Sequence, residues 1–326
     1  MRNWKNAFFT CVMAVGAMSS SATAQVKVDP DLPDYKATQG VTGNLKSIGS
    51  DTMNNEMTLW SEGFGKFYPN VRVEIEGKGS STAPAALISG TAQFGPMSRP
   101  MKEKEIDEFE KKFGYKPTAL PTSIDMLAVY VHKDNALKSL TLPQVDALFS
   151  KTRKGGFKTD IRTWGDIGVK GTSAKQPVSL YGRNSASGTY GYFKEHALKG
   201  GDFKDSVKEQ PGSAAVVQGV ATDKFGIGYS GIGYKTADVR ALAIAPAAGE
   251  DAVEAIPENA YNGEYPLSRF LYVYINHKPG TQLDPLRKEF VKYVFSKQGQ
   301  QEVVKDGYYP VPAAIAKETL EKLGIE

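Results

Sequence analysis

Cysteine is all but missing. The single one among 326 residues, Cys11, lies inside an apolar N-terminal run. Histidine is nearly as scarce: His132, His196 and His277 stand apart and form no His-Glu-x-x-His pair. No acidic cluster has metal-ligand spacing, so a metal centre is not expected. No long apolar stretch follows residue 18, which excludes a later membrane-spanning helix. No dense Lys/Arg block is interleaved with aromatics, which argues against nucleic acid as a partner. The formal charge of +4, from 40 Lys and Arg against 36 Asp and Glu, falls to +2 once Arg2 and Lys5 are removed.

The reason to remove them is the N-terminus itself. Arg2 and Lys5 give a basic start, and Ala7–Met18 is mostly apolar but short for an anchor. Ser19–Ser21 and Ala22-Thr23-Ala24 then offer a small-residue exit. This order is that of a secretory signal over residues 1–24, cleaved before Gln25. Cys11 is not placed for lipid attachment, since apolar residues continue beyond it. The mature chain would then hold no disulfide, no thiolate nucleophile and no cysteine metal site. Its core alone must stabilise it, and about 300 residues suffice for two lobes.

The chain is organised around Gly182-Arg183-Asn184-Ser185-Ala186-Ser187-Gly188-Thr189-Tyr190. The apolar run Pro177–Tyr181 before it predicts a strand, and Tyr190–Leu198 predicts a helix. A helix N-terminus carries free N–H groups and the positive end of the dipole. Gly188 permits close approach to the backbone, Ser187 and Thr189 add hydroxyls, and Arg183 adds a fixed charged fork. Together they suit a small tetrahedral anion. The plainer alternative is a capped helix beside a surface arginine.

Two other turns share the design: Gly49-Ser50-Asp51-Thr52 and Gly79-Ser80-Ser81-Thr82. If the three converge, they present amides and hydroxyls to one buried ion; otherwise they are independent caps. Strands are expected at Gly43–Ile48, Val71–Ile75, Met126–His132, Gly226–Tyr229, Ala241–Ile244 and Phe270–Asn276. Helices are expected from Gly49 to about Phe67 and over Ala83–Ser89, Lys102–Phe113, Leu142–Phe149, Asp284–Phe295 and Gly299–Val304. One more is capped by Ser213, and another closes the chain. Phe94–Arg99 reads as a turn after a short strand, and the polar segment 25–42 as a flexible leader. Strand–helix alternation without a fixed-period repeat predicts an α/β fold with mostly parallel sheets.

Asp51 is an odd member of an anion site. It would repel the ligand unless the ligand carries a proton, as phosphate does and sulfate does not at neutral pH. A buried carboxylate acceptor would then discriminate strongly; equally, Asp51 could simply cap its helix. Arg99 could reach the same pocket or pair with Glu103 or Glu105. Enzyme readings fare worse. Ser187 lacks the Gly-x-Ser-x-Gly elbow, and Tyr234 spoils the phosphate-loop pattern in Gly228–Thr236.

These residues give the chain a resemblance to the periplasmic phosphate-binding proteins that feed ABC phosphate importers (PstS type). It is carried by Gly49–Met53, Gly77–Ser81, Phe94–Pro100, Arg183–Thr189, Gly226–Tyr229 and Phe270–Asn276, and covers nearly the whole mature chain. The resemblance implies a two-lobe type II periplasmic-binding-protein fold, with a mostly parallel, helix-flanked sheet in each lobe and the ligand in the cleft. Residues 43–122 with 270–326 would form lobe 1, and 123–269 lobe 2, with crossings near Thr122–Asp125 and Pro266–Phe270. It implies a periplasmic monomer that is not an enzyme, needs no cofactor, takes inorganic phosphate and delivers it to inner-membrane permease subunits. Matching positions make Ser80, Arg183, Ser187, Gly188 and Thr189 phosphate ligands, with Ser50, Asp51 and Thr52 in the facing turn and Ser98 and Arg99 beside them. Where many members carry Ser-Asp, this chain has Met97-Ser98, and the acid common after the arginine is here Ser185. Asp51 could stand in. Alternatives are a binding protein for sulfate, molybdate or tungstate, or a phosphate-ester hydrolase or surface adhesion protein on the same fold.

Overall fold

The structure, a computed structural model, describes residues 26–325; the expected signal segment, its cleavage point and Cys11 lie outside them. The first lobe opens with β1 (Gly43–Ile48), α1 (Asn54–Gly65), β2 (Val71–Glu76), α2 (Ala83–Ser89), β3 (Phe94–Met97) and α3 (Glu103–Phe113). β4 (Thr118–His132) then leads into the second lobe. That lobe holds β5 (Ser139–Thr141), α4 (Leu142–Phe149), β6 (Ser179–Arg183), α5 (Gly188–His196), β7 (Lys208–Gln210) and α6 (Ser213–Thr222). It continues with β8 (Gly226–Gly231), β9 (Val239–Ala241), β10 (Ala243–Ala245) and α7 (Pro257–Tyr261). β11 (Ser268–Ile275) returns to the first lobe, completed by α8 (Pro285–Val294), α9 (Lys297–Lys305), β12 (Tyr309–Pro310) and α10 (Ala313–Lys322).

The main strand order is β2-β1-β3-β11-β4-β8-β6-β7. Within each lobe the outer strands run parallel, joined through helices as parallel strands must be. The junctions in the middle are antiparallel, because β4 and β11 carry the chain across in opposite directions. β4 belongs to both halves: Thr118–Met126 pairs with β11, and Leu127–Val131 pairs with β8. Met126–Val131 is wholly buried, which explains its unbroken apolar run. The apolar stripe that helical spacing predicts at Met53, Trp60, Phe64 and Phe67 is buried at the first three, with Met57 of α1 joining it, whereas Phe67 lies beyond the end of α1 and is exposed. Pro84 lies in the first turn of α2 and left-handed Gly90 ends it.

Three expectations change. Phe94–Met97 is itself a strand, all buried, rather than a turn. Pro96 is tolerated there because β1 pairs with β3 only at Phe94, so the missing N–H interrupts no ladder on that side. The single strand expected at Ala241–Ile244 breaks at Leu242, with β9 joining β4 and β10 joining β5. Segment 26–42 is a docked strap rather than a flexible leader. Tyr35 is buried and its hydroxyl bonds Tyr68 at 2.9 Å and Glu289 at 2.8 Å. Asp29 accepts the Ala313 N–H at the start of α10. Apolar Leu32, Tyr35 and Val41, spaced among the polar residues, anchor it.

Candidate functional site

Turns from the ends of β1, β2, β3 and β6 meet where the lobes face each other. They bring Ser50, Thr52, Ser80, Ser98 and Thr189 together, all essentially inaccessible to solvent. Thr52 and Thr189 hydroxyls lie 2.8 Å apart across the cleft. Ser50 donates to Ser98 at 3.0 Å, Ser80 is 3.3 Å from Ser98, and Ser98 is 3.5 Å from Thr189. The convergence expected of the three Gly-Ser/Thr turns is therefore present. Ser81 N–H also donates to Ala186 carbonyl at 3.2 Å, fastening one turn to the other.

Glycine is required where these turns touch. A Cβ on Gly188 would sit 2.7 Å from Ser98 Oγ and closer still to Ser80 Oγ. Gly79, at φ +107°, would push a Cβ to 2.5 Å from Ala186 carbonyl oxygen. Ser187 is the N-cap of α5: its Oγ accepts from Thr189 N–H at 3.1 Å and Tyr190 N–H at 3.4 Å. With Gly191 N–H given to the Ser187 carbonyl, Gly188 N–H is the first-turn amide of α5 that the cap leaves over.

Arg183 is buried at the end of β6. Its Nη1 donates to Ser213 Oγ at 2.6 Å, which in turn lies 3.5 Å from Thr52 Oγ1. Its Nε is buried without a hydrogen-bond partner. Burial lowers the Arg183 pKa from its usual value, and the Asp51 charge opposes that shift. Nη1 and Nη2 both have protein partners, so Nε is the one guanidinium nitrogen left without any.

Asp51 pairs with that guanidinium. Its Oδ1 accepts from Arg183 Nη2 at 3.1 Å and from Ser213 N–H at 2.8 Å. The proton-reading carboxylate envisaged inside the cluster is thus engaged with Arg183 and the start of α6, and Asp51 remains 26% exposed. Arg99 differs more. Its guanidinium forms a two-pronged pair with Glu105, both bonds 2.7 Å, and packs over Gly191 instead of joining the hydroxyls. The fork-on-fork geometry with Glu105 is the stronger alternative for it.

Residues that the sequence did not place at the site also contribute, among them Ser213, expected only as a helix cap. Ser213 is the first residue of α6, with Gly212 as N-cap, and its hydroxyl faces Arg183 rather than capping the helix. Tyr229 hydroxyl accepts the Arg183 N–H at 3.2 Å. Tyr234 and Tyr308 donate to the Thr52 carbonyl at 3.3 and 3.0 Å, steadying the turn after β1. Arg269 reaches Thr189 Oγ1 from β11 at 3.0 Å. Ser213 had a local signal, a serine after Pro-Gly at a helix start; Arg269 had none. Among the described residues no group of His, Cys, Asp or Glu is placed to hold a metal ion.

The profile of the PBP superfamily domain matches residues 35–298. The phosphate-binding protein PstS of Pseudomonas aeruginosa is 57% identical over 311 residues, covering 95% of this chain and 96% of that protein. Protein SphX of Synechococcus elongatus is 27% identical over 271 residues, 81% of this chain and 77% of that one. A phosphate ABC transporter substrate-binding protein from Clostridium perfringens, solved with bound phosphate, superposes with a TM-score of 0.69 at 26% identity. That match covers 82% of this chain and 100% of the other.

Proposed function

This chain belongs to the PBP superfamily, and within it to the periplasmic phosphate-binding proteins of the PstS type; from that membership we propose that it captures inorganic phosphate between its lobes and passes it to an ABC permease. The observation that carries the reading is the buried meeting of hydroxyls from both lobes with Arg183, whose Nε has no protein partner. Ser80, Ser98, Thr52, Thr189 and the Gly188 amide at the start of α5 supply hydrogen bonds, and Arg183 supplies charge. Asp51 contributes by holding the guanidinium in place. Closure removes water and strengthens every one of these bonds. The protein releases phosphate unchanged, acts as an exported monomer, and presents its closed form to the permease.

A second reading, another oxyanion such as sulfate, molybdate or tungstate, draws on one observation: Asp51 is engaged outside the hydroxyl cluster. Hydroxyls, however, accept as readily as they donate, so serine and threonine oxygens can take the phosphate proton where a carboxylate does so elsewhere. Titration calorimetry of the mature protein decides between them. Phosphate should bind tightly, with sulfate at least about 100-fold weaker, as expected when a site hydrogen-bonds the discriminating proton. Equal affinities would overturn phosphate specificity, and no response to phosphate would overturn the reading altogether.

A further inference from the structure

We infer that Arg269 is a positioning residue for anion capture, acting from the crossing strand β11 to hold Thr189 as a donor and to tie the closed lobes together; this rests on the phosphate reading above. Arg269 lies outside the three turns that form the cluster and is buried. Its Nη2 donates to Thr189 Oγ1 at 3.0 Å in the second lobe. Its Nη1 donates to the Ser98 carbonyl at 2.7 Å in the first. One guanidinium therefore reaches a site residue in each lobe, and can do so only when the two are together.

A guanidinium donates and never accepts. Thr189 Oγ1 must then receive the Arg269 bond, which occupies one lone pair and leaves its proton free to point into the cluster. A hydroxyl polarised by a neighbouring cation is a better donor to an anion. Arg269 does this without offering its own charge to the ligand, because Asp125 accepts from its Nε at 2.9 Å and its Nη2 at 2.7 Å. Asp125 and Arg269 stand opposite each other in the β4–β11 register, so the pair is built into the strands that join the lobes. Asp125 Oδ1 accepts the Ile232 N–H at 2.9 Å, and the Tyr192 ring lies 5.3 Å from the guanidinium carbon. The arginine is held on every side, as a part that aims another group needs to be.

The alternative is that the ion pair only stabilises the crossing. A double-mutant cycle with phosphate calorimetry separates the two. Arg269→Lys keeps a charge beside Asp125 but loses the planar fork. It should weaken phosphate binding by about tenfold or more, the cost of a charge-assisted bond. In a Thr189→Val background the same change should cost less than about threefold, since its target hydroxyl is gone. If Arg269→Lys fails to fold, Arg269→Met with Asp125→Asn replaces it, leaving no unpaired buried charge. Unchanged binding in the Arg269 variant, or losses that multiply in the double variant, would overturn the inference while wild-type binding keeps the phosphate reading. Wild-type protein that ignores phosphate would sink both.

Discussion

Gly188 shows how narrow the chemistry is at the level of one residue. A methyl group there would enter the space held by Ser80 and Ser98 hydroxyls, which come from the opposite lobe. Gly188→Ala should therefore hinder closure and weaken phosphate binding by at least about tenfold, given the cost of overpacking a tight contact. Calorimetry alongside circular dichroism checks this; native affinity would mean that the lobes do not meet so closely in solution. Arg183 and Asp51 divide the labour of charge. The arginine is buried, and the aspartate that compensates it sits at the rim. A carboxylate so engaged holds the guanidinium in one orientation. Arg99 teaches the opposite lesson. Proximity in sequence to Ser98 made it a candidate, but Glu105, three residues into the first turn of α3, claims both prongs.

Among the elements, α9 carries a pH response. Its last cap residue, Asp306, has its pKa raised to about 7 by burial, with the nearby Asp125 charge adding to the shift. One of its oxygens is buried without a partner. Glu56 of α1 is likewise pushed well above its usual value, first by burial and then by the Asp306 charge. A carboxyl that holds its proton more tightly when folded costs stability as pH rises from its unfolded value of 3.8 towards 7, and the cost is full above that. Asp306→Asn should stabilise the protein by about 1–2 kcal/mol at pH 8 and by less than half as much at pH 5. Thermal melts at both pH values test this, and an equal effect at each would contradict it. Legibility in the sequence also follows element boundaries. β1, α2 and α4 lie where they were expected; Gly90 ends one helix, and the structure shows a Thr141–Gln144 capping box opening another. Ser80, Gly188 and Thr189 were visible for the same reason, at strand-to-helix turns. Arg269 and Asp125 were not, since their pairing spans 144 residues and depends on strand register. The strap was misjudged because polar residues and Pro30 and Pro33 outweigh its few anchors in composition.

Taken whole, the molecule is held by its core and by long-range ties rather than by covalent links. The strap shows this plainly. Pro33 carbonyl accepts the Lys297 N–H at 2.9 Å and Gln298 Oε1 accepts the Tyr35 N–H at 2.8 Å, so residues near the start fasten helix α9 near the end. Tyr35→Phe removes two buried hydroxyl contacts and should lower stability by about 1 kcal/mol without altering phosphate affinity. Urea unfolding with calorimetry checks it, and a change in affinity would show that strap and cleft are coupled. The sharing of β4 between both sheets has a different outcome. Because the chain crosses twice and β4 pairs in both halves, no single cut frees a whole lobe, and any cut at a crossing leaves strand edges unpaired. The two halves are therefore interdependent parts of one folding unit rather than exchangeable modules.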